Sequence, residues 1–149
     1  MSNLEFTGER CMVDGPELGI IHLEHLHRYI VAAGYCVGKN VLDCASGSGY
    51  GSRILAEEAR FVVGVDISEE AVEYSRNKFA RQNLRYKVGS ATQLPVDSQS
   101  IDVVVSFETL EHIGEKEQWQ FLAEIKRVLK PGGLLIMSTV DRVWYTDDK

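Results

Sequence analysis

Cysteine is scarce in this chain of 149 residues: only Cys11, Cys36 and Cys44. An odd number without C-x-x-C spacing argues against a disulfide framework or a zinc knuckle and points to a reducing, cytoplasmic compartment. Basic residues are also in deficit. Sixteen Lys and Arg against twenty-two Asp and Glu leave a formal net charge of −6, which argues against general binding to nucleic acid or to an anionic membrane. No apolar run approaches the roughly 20 residues of a membrane span, and no stretch resembles a signal peptide. Internal repeats and low-complexity linkers are absent. What remains, 44% hydrophobic and 26% charged, is an ordinary globular composition, long enough to bury a core without staples.

Hydrophobic periodicity divides the chain. Residues 1–16 are punctuated by Gly8, Gly15 and Pro16 and read as irregular. Leu18, Ile21, His22, His25, Leu26, Tyr29 and Ile30 fall at three- and four-residue steps and imply a helix over 17–33. Strands are expected at 40–45, 61–66, 84–88, 101–107 and 134–139. Helices are expected at 50–59, at 69–81 behind an N-cap at Ser68, and at 115–129. In the last of these Trp119, Phe121, Leu122, Ile125 and Leu129 are assigned to the core, and Pro131-Gly132-Gly133 is expected to stop it. Strands alternating with helices, the central ones apolar on both faces, imply an α/β fold whose parallel sheet is covered on both sides. Ligands of such sheets sit at the strands' C-terminal ends.

The stretch from Val41 to Ser52 organises the rest. An apolar strand ends at an acid, bends through Gly47 and Gly49, and resumes as a helix, the arrangement that brings a bare backbone to a ligand. Two cofactor classes compete for it. A nicotinamide dinucleotide calls for G-x-G-x-x-G, whereas here the third glycine, Gly51, comes one place early. Asp66, at the end of the second strand, suits the ribose of either ligand. Asp43 favours the other class, because a carboxylate repels a pyrophosphate and attracts an ammonium group. A ligand with an amino-acid end, a ribose and an adenine satisfies both acids.

At these residues the chain resembles the class I S-adenosylmethionine-dependent methyltransferases. Val41-Leu42-Asp43-x-Ala45-x-Gly47-x-Gly49 is similar to their first motif, and Val63 to Ser68 to the ribose-holding stretch. Gly89 to Pro95 resembles the adenine loop. Ile101 to Val104 with Phe107 to His112 resembles the segment beneath the methyl donor, and Arg127 to Gly133 the turn into the fifth strand. The resemblance implies a doubly wound, Rossmann-like, mostly parallel sheet of order 3-2-1-4-5. It divides the chain into an amino-terminal segment with a lid helix (1–39) and a cofactor-binding domain (40–149). It also implies S-adenosylmethionine as cofactor, with S-adenosylhomocysteine as product. Asp43, Ala45, Gly47, Ser48 and Gly49 would then hold the methionyl end. Asp66 would take the ribose and Ile67 the adenine face, while Ser90, Ala91 and Thr92 read the adenine edge. Phe107 and Glu108 would floor the methyl pocket, with His112 as general base beside Glu108.

The segment Thr7-Gly8-Glu9-Arg10, followed by Glu24 to Tyr29, is similar to bacterial methyltransferases of surface-polysaccharide and sugar pathways. That likeness implies O- or N-methylation of a small molecule or sugar, with Arg10, His25 and Tyr29 as substrate or lid contacts. His22, His25 and His27 are read as packing or lid residues and not as a metal site. Cys44 is read as a buried structural thiol.

Two features depart from the family pattern. Ser90 stands where many relatives carry an acid, and Ala45 where many carry glycine. The sheet also lacks the family's last two strands, so the fifth strand is expected at an edge. Either the chain is a fragment of something longer, the preferred reading, or a second copy covers that edge as a homodimer.

Overall fold

Five strands hydrogen-bond in the order β3-β2-β1-β4-β5: β1 (Asn40–Cys44), β2 (Phe61–Asp66), β3 (Leu84–Val88), β4 (Ile101–Phe107) and β5 (Leu129–Ser138). Every pairing is parallel. The computed structural model of the chain describes residues 20–140. Within them α1 (Ile20–Gly34), α2 (Tyr50–Leu55), α3 (Glu69–Lys78) and α4 (Glu115–Val128) connect and cover the strands. The expected start of the first helix at Glu17 lies outside the described residues, as do Arg10 and Cys11.

The pleat sorts the strand residues between two cores, because successive side chains point to opposite faces. Val41, Val62, Val103 and Val105 pack with Tyr29, Ala32, Ala33, Cys36, Leu55 and Val72 on the face covered by α1, α2 and α3. Leu42, Cys44, Val63, Val65 and Val104 pack with Leu94, Phe121, Ile125 and Val128 on the face covered by α4. Strands buried on both faces need the near-continuous apolar runs that the sequence provides.

Several element boundaries differ from the sequence expectation. Helix α2 ends at Leu55 instead of Ala59. Glu57 and Glu58 donate to Ile54 and Leu55, three residues back. That tightening brings Ala59 into an antiparallel bridge with Val37. Helix α3 begins as expected, with the Ser68 hydroxyl accepting from the Ala71 N–H at 3.2 Å, but gives way at Phe79.

The Pro131-Gly132-Gly133 stretch does not precede the fifth strand but lies inside it. Ile101 pairs with Leu129 and Val103 with Leu134, so two steps along β4 face five along β5. The residues between form a bulge, with Gly132 at φ +78°.

On α4 the buried stripe is Phe121, Ile125 and Val128. Trp119 is 75% exposed and Leu122 36%, so the helix is rotated by about one residue from the orientation expected. Phe121 and Ile125, both assigned to the core from the sequence, do pack there in one cluster with Leu42 and Val104.

Candidate active site

The carboxyl ends of β1, β2 and β4 border a cavity of about 460 Å³. Its wall begins at Cys44-Ala45-Ser46-Gly47-Ser48, the bend after β1, and takes in Tyr50 on α2. Ala45 is held at φ +63°, where a β-carbon is strained. Gly49 caps α2 at φ +88°, yet its bareness serves packing. A Cβ there would come within 2.4 Å of the Ser75 Oγ on α3. Gly47 and Ser48 line the cavity, and Gly49 stands beside it without lining it.

Asp66 closes β2 on the cavity wall. Its two carboxylate oxygens accept from the Gly47 N–H and the Ser68 N–H, both at 2.9 Å. Each carboxylate oxygen can accept more than one hydrogen bond. These two bonds therefore fix the carboxylate and leave acceptor capacity for a pair of vicinal hydroxyls. Ile67 follows with 76% of its surface exposed, an apolar face on the same wall. Opposite lies the loop after β3, where the Ser90 hydroxyl shares a 2.8 Å hydrogen bond with Thr92 and accepts from the Thr92 N–H at 3.1 Å. Ser90, Ala91 and Thr92 all border the cavity.

Asp43 is placed otherwise than expected. It is fully buried and is not part of the cavity wall. The Tyr29 hydroxyl reaches its two oxygens at 3.1 and 3.2 Å, and the Ser52 hydroxyl donates to one of them at 2.7 Å. Burial raises its pKa to about 7, against the lowering effect of the two hydroxyls. Asp43 therefore anchors Tyr29 beneath the bend.

Tyr29, expected as a lid contact, is a fixed wall residue, 2% exposed. Its ring lies over Gly51, where a Cβ would be 2.1 Å away, and 5.0 Å from the Phe107 ring centroid. His25 is tied to the Tyr50 hydroxyl through Nδ1. Burial, then Arg28 and His22, lower its pKa to about 4, so it is neutral near pH 7.

The β4 end supplies the remaining wall: Phe107, Glu108, Thr109 and His112, followed by Ile113, Gly114 and Glu117. Glu108 adopts φ +53°, a strained conformation of the kind that gathers at functional sites. Arg28 lies 3.1 Å from its Oε1, and Ser138 donates to the same oxygen at 3.2 Å. Its Oε2 is buried without a partner. The Glu108 pKa is raised, by desolvation first and the neighbouring Glu111 next, which together outweigh Arg28. His112 is half exposed, 4.0 Å from Glu111.

The sequence expectation did not include Ser46, Tyr50, Thr109, Ile113, Gly114 or Glu117 as lining residues. Ser46 and Thr109 carried one signal, a position just after the carboxyl end of β1 or β4, whereas Tyr50, Ile113, Gly114 and Glu117 come further on and carried none. Among the described residues no cluster of His, Cys, Asp and Glu could hold a metal ion, and no helix is long and apolar enough to cross a membrane.

A parallel sheet of this order, with a fixed carboxylate after its second strand and an exposed apolar side chain beside it, defines a Rossmann-like domain with a site for a ribonucleoside. The family follows from comparison with known proteins. Residues 42–137 match the methyltransferase domain family, and the chain belongs to it, as a class I S-adenosylmethionine-dependent methyltransferase domain.

A Mycolicibacterium smegmatis protein named "Probable S-adenosylmethionine-dependent methyltransferase" is 37% identical over 145 residues, covering 97% of this chain and 55% of the relative. A Haloferax volcanii methyltransferase, solved in complex with the activator Trm112, superposes with a TM-score of 0.71 at 30% identity. That match covers 79% of this chain and 52% of the other. A Haemonchus contortus phosphoethanolamine N-methyltransferase, solved with phosphoethanolamine and S-adenosylhomocysteine, gives 0.68 at 26% identity, over 78% and 26% of the two chains. The chain thus spans about half the length of the curated relative it matches.

The residues present fit the family's cofactor. Asp66 suits the ribose hydroxyls and Ile67 an adenine face. Among the described residues the wall carries no Lys or Arg, as befits a cationic ligand without phosphates. The family assignment sets the nicotinamide alternative aside.

Proposed function

We propose that the protein to which this domain belongs transfers a methyl group to an oxygen or nitrogen of a small molecule or sugar. The observation that carries this reading is the division of one cavity into two ends. Asp66, Ile67 and the 90–92 loop make a nucleoside end, and Phe107, Glu108 and His112 make a reaction end.

Bound S-adenosylmethionine would supply an already activated methyl group, so alignment is most of what the chain must provide. Asp66, locked by two backbone N–H groups, would hold the ribose hydroxyls at a fixed height. Ser46 to Ser48 would cradle the methionyl end. Phe107, Tyr29 and Tyr50 would wall the reacting atoms from bulk water. Glu108 and His112 would accept the proton that the acceptor releases. The raised pKa of Glu108 makes it a stronger base than an ordinary carboxylate wherever it is ionised.

Replacing Asp66 by Ala is expected to weaken S-adenosylmethionine binding by about 2–4 kcal/mol, the worth of two hydrogen bonds to a carboxylate. Calorimetric titration of the chain is the measurement, and an unchanged dissociation constant would remove Asp66 from the site. A second reading, donor binding without turnover, is favoured by the chain's span of about half its relatives. S-adenosylhomocysteine release in the presence of hydroxylated sugars and phenols separates the two.

A further inference from the structure

The loop at the nucleoside end of the cavity carries no charged side chain at 90–92. The Ser90 hydroxyl is already engaged inside the loop, with the Thr92 hydroxyl at 2.8 Å and the Thr92 N–H at 3.1 Å. A base edge presented there would be read by backbone N–H and C=O groups. Such groups have no side-chain torsion to adjust, so they recognise an edge only if the loop itself is held in place.

The loop is tied at both ends. At its start the Gly89 N–H donates to the Asp66 carbonyl at 3.0 Å, and Pro95 packs so closely that a Cβ on Gly89 would lie 2.5 Å from its Cδ. At its end stands Leu94, 5% exposed and clustered with Phe121, Ile125 and Val128 of α4. Burial takes the Leu94 backbone groups from water, and both need partners. One ion pair on α4 supplies them. The Leu94 N–H donates to Glu124 Oε2 at 2.8 Å, and Arg127 Nη2 donates to the Leu94 carbonyl at 3.1 Å. Arg127 grips Glu124 in turn, Nε to Oε1 at 2.8 Å and Nη2 to Oε2 at 2.9 Å. The ring is closed, with each charged partner also holding a backbone group. Beyond it, Arg127 Nη1 reaches Ser98 Oγ at 3.0 Å, and the Arg127 carbonyl accepts from the Gln99 N–H at 2.9 Å.

We infer that Glu124 and Arg127 are positioning residues for base recognition, which hold the 90–92 loop where its backbone reads an adenine edge. Neither lines the cavity; they act through Leu94. The planar fork is what the ring requires, because an ammonium in its place could pair with Glu124 but not also keep the Leu94 carbonyl and Ser98. The same helix begins at the reaction end, where Gly114 and Glu117 line the wall, so one element spaces the two ends of the cavity. The inference rests on the cofactor reading of this site, with the adenine between Ile67 and the loop.

The test compares S-adenosylhomocysteine with S-inosylhomocysteine. In the latter a carbonyl replaces the adenine amino group and N1 carries a proton, which inverts the base edge and leaves the ribose and amino-acid end unchanged. Each is titrated calorimetrically into the full chain and its variants. The unaltered chain is expected to prefer S-adenosylhomocysteine. Arg127→Ala and Glu124→Ala are expected to weaken that ligand about tenfold, one hydrogen bond's worth, and to leave S-inosylhomocysteine nearly unmoved. Glu124→Gln, which still accepts from Leu94 and Arg127, is expected to keep most of the preference. Should the alanine variants fail to fold, Arg127→Lys carries the test and is expected to reduce the preference severalfold. A merely structural brace would weaken both ligands alike. That result, an unchanged preference in the Arg127 variants, or equal binding of the two ligands by the unaltered chain would overturn the inference and leave the cofactor site standing. An unaltered chain that binds neither ligand would overturn the site itself.

Discussion

Asp43 is a structural anchor that holds the Tyr29 and Ser52 hydroxyls. Its folded pKa, raised to about 7 from the ordinary 3.8, means that the native state holds a proton that the unfolded chain has already lost. Stability from this group is therefore full below about pH 4 and falls as pH rises through 7. Asp43→Asn is expected to flatten that dependence, recovering on the order of a few kcal/mol above pH 7. Urea melts of both proteins between pH 5 and 8 are the check. Parallel curves would mean that the Tyr29 and Ser52 hydroxyls keep Asp43 ionised throughout. The partner of this anchor is Gly51, because Tyr29 lies where its Cβ would be. Gly51→Ala is expected to cost about 3 kcal/mol through overpacking, read as a lowered melting temperature.

At the scale of elements, the bulge in β5 and the rotation of α4 are the informative features. Gly132 and Gly133 share the bulge but have different reasons to be glycine. Gly132 needs φ +78° with open space around it, whereas a Cβ on Gly133 would lie 2.8 Å from the Leu129 side chain and 2.9 Å from the Lys130 carbonyl. Gly133→Ala is accordingly expected to destabilise more than Gly132→Ala, which should cost about 1–2 kcal/mol. Equal losses would mean that the bulge relaxes. On α4, Phe121→Ala should cost about 3–5 kcal/mol, since the ring is fully buried. Trp119→Ala should stay within about 0.5 kcal/mol, as for other exposed positions. Thermal melts of the pair decide whether the rotated stripe is the real one.

On the scale of the whole molecule, β5 is an edge strand among the described residues, with Leu134 41% exposed. An apolar edge of this kind templates pairing with another chain. We propose that a second copy of the chain pairs along this edge. Sedimentation should then give a species of twice 16.7 kDa, and Leu134→Lys should return it to the monomer. A monomer at all concentrations would dispose of the edge as an interface.

The parallel sheet and the boundaries of β2, β3 and β4 were readable from local pattern, whereas the strand order came from the resemblance to the family. Apolar runs of strand length, ended by acids and glycines, have few other ways to bury themselves on both faces. The position of Asp66 and Ile67 at a strand's carboxyl end was readable for the same reason. Other features depended on which side chain fills which volume once the layers meet. Phe121 keeps its core place in the cluster of Leu42 and Val104, while Trp119 faces solvent. Tyr29 became the partner of Asp43 because a helix residue 14 positions upstream reaches its carboxylate and lies over Gly51. The bulge in β5 exists because Leu129 and Leu134 both find partners on β4. Sequence determined the order of the elements, since that depends on each segment's own periodicity. Only the tertiary structure decided which polar groups reach the cavity, since that depends on contacts between residues far apart in the chain.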